Sequence, residues 1–126
     1  MINLLGEDWA DRLTPRQRLS HKLRDGTYRA RHTFDQPTES IPVRHATRFL
    51  AQKTCYYCGT DVSDYYELEH KTPLQRGGQH VVDNLAKSCG YCNEHKGTMT
   101  EDEYREWLAG GFSVMQEPQV ERMYAA

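Results

Sequence analysis

This chain is short of hydrophobic residues. Only 37% of its 126 residues are apolar, and the mean hydropathy is −0.86. A core that poor is hard to stabilise alone, and small domains often add a metal. No apolar run approaches the roughly 20 residues that a membrane-spanning helix needs, which excludes that class. Met1 to Leu5 is followed at once by Gly6-Glu7-Asp8, so there is no apolar core of a signal peptide. The expected compartment is the cytoplasm. There is no internal repeat and no low-complexity tract. The length suits one small domain with an appendage.

Cysteine is confined to four positions in two CxxC pairs: Cys55 and Cys58, then Cys89 and Cys92. Such pairs suit zinc, which takes four thiolates in a tetrahedron at about 2.3 Å. The pairs lie farther apart than the roughly 15–20 residues of a plain zinc ribbon, leaving room for a hairpin between them. Two disulfides are the first alternative, and a reducing compartment disfavours them. A redox-active CxxC is the second, but it wants a βαβ setting that this chain lacks. The reading adopted is a structural zinc site, whose binding would then form part of the folding free energy.

The net charge of −2 hides a division. Residues 1–54 hold ten Lys/Arg against six Asp/Glu, and the remainder holds six against twelve. The basic half concentrates in Arg16, Arg18, Lys22, Arg24, Arg29 and Arg31. Such a cluster is what phosphate-backbone contact requires. A merely solvated helix face is the alternative reading.

Local patterns give a coarse map. Trp9 and Leu13 suggest a short amphipathic turn over residues 6–13. Thr14-Pro15-Arg16-Gln17 reads as a capping box with proline at the first helical position. Leu19 and Leu23 share a face of that helix, and Asp25-Gly26 is expected to end it. Residues 26–40 read as irregular. A second helix is expected from about Ser40–Pro42, carrying Val43, Ala46, Phe49 and Leu50 as a stripe. Residues 65–70 alternate like a strand, with Tyr66, Leu68 and His70 on one face. Pro73 and Gly77-Gly78 mark a broad loop. Leu85–Ser88 reads as the returning strand, and Asn93 to Lys96 as the first turn of a helix. Thr100 to Glu103 forms a second capping box. Its helix presents Tyr104, Trp107 and Leu108 and stops at Gly110-Gly111. The tail from residue 112 carries no signal.

Between and across the cysteine pairs stand Glu67-Leu68-Glu69-His70-Lys71-Thr72-Pro73-Leu74, Gly77-Gly78, Asp83-Asn84-Leu85 and Cys92-Asn93-Glu94-His95-Lys96-Gly97. In this order they resemble the HNH endonuclease family over about residues 53–98. The resemblance implies an α+β fold: a small ββα-metal domain with a four-cysteine structural zinc site and flanking N- and C-terminal helices. The implied layout is a basic helical extension at 1–40, the nuclease domain at 41–110 and a tail at 111–126.

Phosphodiester hydrolysis needs an activated water, charge neutralisation at phosphorus and help for the leaving oxygen. His70 is the candidate general base, because imidazole titrates near neutrality. The resemblance assigns Glu69 and Asn93 to a catalytic divalent cation, with Mg²⁺ or Mn²⁺ suiting their hard oxygens. It assigns Asn84 to fixing the loop and orienting the histidine. Lys96 and Lys71, with Arg16, Arg18, Lys22 and Arg24, are expected to touch nucleic-acid phosphates. Each residue has a plainer reading: His70 as a buried strand histidine, Asn84 as a turn residue, Asn93 as a helix N-cap. His95 is a second-choice ligand, and His80 is expected to meet solvent or DNA. Glu69 stands where the family more often has aspartate. Neighbours on a regular strand face opposite ways, so Glu69 and His70 share a site only if the strand ends or twists there. If the strand stays regular, Glu69 is not a ligand and Asp83 becomes the carboxylate to test.

The expected function is a metal-dependent endonuclease acting on DNA. Compact family members of this kind imply phage or bacterial settings, with a homodimer or a packaging terminase as conceivable partners. The alternatives are a zinc-braced nucleic-acid-binding module without catalysis, or a nuclease directed at RNA.

Overall fold

A computed structural model describes residues 12–110. The turn expected over residues 6–13 lies almost wholly outside that range, as does the tail from residue 112. The order is α1 (Pro15–His32), a 3₁₀ turn (Val43–His45), α2 (Arg48–Ala51), β1 (Glu67–His70), two 3₁₀ turns (Leu74–Arg76 and Val82–Asn84), β2 (Leu85–Ser88), α3 (Gly90–Lys96) and α4 (Glu101–Leu108). The mixed architecture, with strand, strand and helix in succession, meets the expected α+β class. No described helix is long and apolar enough to cross a membrane.

α1 begins as its sequence dictates. Thr14 accepts from the Gln17 backbone, Gln17 returns the bond, and Pro15 opens the helix. It does not end at Asp25-Gly26 but continues to His32. Gly26 serves close packing rather than termination: a Cβ there would lie 2.3 Å from Cε1 of His80. The expected second helix is broken into a 3₁₀ turn and the single turn of α2. α4 matches its capping box and buries Tyr104 completely, while Leu108 is exposed.

β1 and β2 pair antiparallel, with Glu67 opposite Ser88, Leu68 opposite Lys87, Glu69 opposite Ala86 and His70 opposite Leu85. The ribbon divides two small cores. Leu68 and Leu85 pack with Leu19, Leu23, Ala46 and Phe49 from α1 and the α2 region. A second cluster gathers Cys55, Val62, Cys92, Met99 and Tyr104, with Tyr57 and Trp107 against it. On the first side Lys87 lies buried, its ammonium donating to the carbonyls of Phe49 at 2.7 Å and Gln52 at 2.8 Å. α1 is thus part of the same packing as the ribbon.

The loop from β1 to β2 is closed by Asn84. Its amide donates to Thr72 O at 3.0 Å and Gln79 O at 2.9 Å, and its oxygen accepts from Thr72 N at 2.9 Å. Gly78 makes this possible, since a Cβ there would fall 1.8 Å from Thr72 O. Gly77 adopts φ +89°, a conformation glycine reaches without strain.

Candidate metal centre and active site

The four cysteines converge. Their Sγ atoms all lie within 4.8 Å of one another, and Cys58 and Cys89 are 3.7 Å apart. Four sulfurs at about 2.3 Å around one zinc would sit about 3.8 Å apart, so the spacing fits a tetrahedral ion. It is far from a covalent S–S distance of about 2.0 Å. Each pair is shaped by the backbone. Gly59 at φ +80° turns the first, and the Tyr57 amide donates to Cys55 Sγ at 3.4 Å. In the second, Cys89 caps α3 and its sulfur accepts from the Cys92 amide at 3.4 Å. Burial opposes ionisation of the Cys58 thiol, yet its hydrogen bonds with Thr60 bring it down to about 6. Burial pushes Cys89 and Cys92 up. Among the described residues this is the one group of three or more His, Cys, Asp or Glu with the geometry to hold a metal.

On the same side of the ribbon stands Glu69, 7% exposed. Its carboxylate is paired with Lys96 Nζ at 2.8 Å and accepts the Tyr57 hydroxyl. Lys96 also donates to the His70 carbonyl at 2.9 Å. Burial and then the Glu69 charge push the Tyr57 phenol well above its ordinary range. Lys96 is 1% exposed, so the expectation that it touches phosphate is corrected: its ammonium is consumed inside the protein. Asn93 lies exposed in the body of α3, whose cap is Cys89, so its reading as an N-cap is also corrected. His95 stacks on Tyr91, with ring centroids 3.8 Å apart, and bonds its carbonyl through Nδ1.

His70 faces the other way, toward α1. Its Nε2 lies 2.9 Å from His80 Nδ1, and His80 Nε2 lies 3.1 Å from Leu23 O. The strand is therefore regular through His70, and the doublet Glu69-His70 is split between two faces. His80 is 2% exposed and meets neither solvent nor DNA, contrary to expectation. Burial, then the charges of His80, Arg29 and Lys96, lower His70 to about 4, so it is neutral at physiological pH. Burial lowers His80 too, against its bond to Leu23.

The remaining expected residues are peripheral. Asp83 is exposed and 3.4 Å from Arg48. Lys71 places its ammonium 4.9 Å from the Tyr56 ring and lines a groove of about 400 Å³ with Arg48 and Asp83. Of the basic residues on α1, Arg16 and Arg24 are exposed, Arg18 is half-buried, and Lys22 folds over Tyr66 at 4.9 Å. Sequence reasoning missed His80, Tyr57 and the helix-internal role of Gly26. Only Gly26 left a signal, because a glycine inside a helical pattern calls for a packing reason.

Residues 55–99 match the family model described as HNH endonuclease. The match runs from Cys55 through both strands and α3 to Met99, and leaves α1 and α2 outside it. No curated protein and no solved structure matches the chain.

Proposed function

We propose that the HNH domain at residues 55–99 makes this chain a metal-dependent endonuclease that hydrolyses phosphodiester bonds in DNA, with His70 as general base. One observation carries the reading. His70 is a neutral imidazole held through Nε2 alone, and no described residue holds its Nδ1. The expectation that this ring titrates near neutrality is corrected, since burial first holds it well below; it is nonetheless anchored at one nitrogen and unprotonated at the other, the arrangement that taking a proton from water requires. The charge of Arg29, on α1, is felt at the His70 imidazole. Lys71 and the exposed Arg16 and Arg24 extend positive charge around the domain.

The family resemblance gives a catalytic cation to Glu69 and Asn93; the regular course of β1 turns Glu69 away from His70 and counts against it, which makes Asp83 the alternative carboxylate to test. A carboxylate and an amide suit Mg²⁺ or Mn²⁺, which keep several waters and need few protein oxygens. When bound, the cation would neutralise charge on the phosphate and the departing oxygen. Glu69 is already paired with Lys96, so it would hold a cation only if the ammonium shared or yielded that carboxylate. The four-cysteine site braces the hairpin and α3 from the side opposite α1.

Incubation with supercoiled plasmid and a panel of divalent metals is expected to give nicked and then linear DNA. One site cuts one strand, so linear product needs two visits or two chains. His70→Ala should abolish cutting while zinc content and circular dichroism persist. Retained cutting in that variant removes His70 from its role, and binding without cutting under every metal favours the non-catalytic module. Cleavage of RNA alone would redirect the substrate.

A further inference from the structure

We propose that His80 is a positioning residue: together with the Leu23 carbonyl of α1 it fixes the tautomer of His70 that leaves Nδ1 free. The functional half of this inference rests on the nuclease reading; the structural half does not.

The argument follows the direction of each hydrogen bond. A carbonyl only accepts, so His80 Nε2, at 3.1 Å from Leu23 O, must carry the proton. A neutral imidazole has one donor and one acceptor, so His80 Nδ1 accepts. Its partner at 2.9 Å is His70 Nε2, which must therefore donate. The remaining lone pair of His70 lies on Nδ1. The relay thus sets which nitrogen of the candidate base can receive a proton.

Three elements hold His80 in place. Its amide donates to Gln36 Oε1 at 3.0 Å, and its carbonyl accepts from Thr38 Oγ1 at 3.2 Å. Its ring lies against α1 at Gly26, where any Cβ would come within 2.3 Å of Cε1 and 2.9 Å of Nδ1. Glycine in a helix interior costs roughly 1 kcal/mol relative to alanine. The helix keeps that residue at the one position where the imidazole needs the space. Both Gly26 and Leu23 lie outside the matched segment of 55–99, so the N-terminal helix completes the environment of a residue in the HNH domain.

The test is heteronuclear NMR of the imidazole nitrogens in the full-length, zinc-loaded protein at pH 7.5, alongside plasmid cleavage. Wild type should show His70 as the Nε2–H tautomer. His80→Leu should convert His70 to a mixture of tautomers. Gly26→Ala should do the same without altering any imidazole. His80→Asn, whose side-chain oxygen stands near the place of Nδ1, should restore the Nε2–H form. In cleavage, His80→Leu and Gly26→Ala should lower kcat by about 10- to 100-fold with KM unchanged, and His80→Asn should recover part of it. An Nδ1–H tautomer in wild type overturns the proposal, as does an unchanged tautomer in both His80→Leu and Gly26→Ala. If His80→Leu fails to fold, Gly26→Ala and His80→Asn decide alone. The expected tautomers with no cleavage by wild type would support the positioning role and sink the nuclease reading.

Discussion

Glu69 and His70 are neighbours in the chain but face opposite sides of the β-ribbon. The carboxylate looks to the zinc-type cysteine cluster, where Lys96 and Tyr57 take it. The imidazole looks to α1, where His80 takes it. The two halves of the expected catalytic doublet are thus tuned by different cores.

The Glu69–Lys96 pair is buried, so removing one partner leaves an uncompensated charge. Such losses cost about 3–5 kcal/mol. Lys96→Met should lower stability by that order in urea unfolding followed by circular dichroism. Because the ammonium and a divalent cation compete for one carboxylate, added Mn²⁺ should stabilise Lys96→Met more than wild type. Equal Mn²⁺ effects on the two proteins would argue that Glu69 is not the cation's ligand.

Zinc removal should cost structure, because Cys55 and Cys92 sit in a core with Val62, Met99 and Tyr104, and Cys89 packs against it. Metal analysis should find one zinc per chain. A chelator strong enough to extract it should make four thiols reactive to a colorimetric reagent and reduce the helical signal. Intact helicity after full extraction would mean that the second core stands without its metal.

What the sequence made legible was whatever is local. The two capping boxes, the returning strand Leu85–Ser88 and the cysteine pairs each follow from neighbours within a few residues. What it hid was contact at long range. Gly26 reads as a helix stop until His80, distant in sequence, is seen lying on it. Lys96 reads as a phosphate contact until β1 is seen to place Glu69 beside it. Strand alternation raised the question whether Glu69 and His70 would part, but the expectation kept them in one site, and the regular pairing of β1 separates them.

Acid should destabilise the fold through His70. Its folded value is about 4, against 6.5 for an unperturbed histidine. Below pH 6.5 the unfolded chain binds a proton that the folded ring refuses. The contribution is therefore complete above about pH 6.5 and is lost progressively as pH falls toward 4, by up to about 3 kcal/mol. Urea titrations at pH 7.5 and 5 would show it, and the difference should shrink in His70→Ala. An equal loss in that variant would assign the acid sensitivity to other groups.

Phosphate contact by α1 should reveal itself in salt dependence. Arg16 and Arg24 are exposed and lie eight residues apart on α1, a little over two helical turns, which leaves them about 80° apart around the helix axis. Each phosphate neutralised adds about 0.9 to the slope of log affinity against log salt on duplex DNA. Replacing both by alanine should reduce that slope by roughly 2 and weaken binding across unrelated sequences alike. Lys22→Ala should change it less, because that ammonium already rests over Tyr66. Deleting the whole N-terminal segment is a poorer test, since it also removes Leu19 and Leu23 from the core and the carbonyl that anchors His80. Single-turnover cleavage at saturating DNA should be unchanged in the double variant, because neither arginine is in contact with His70 or its relay. A slope that stays the same would reduce the basic cluster on α1 to a solvated face.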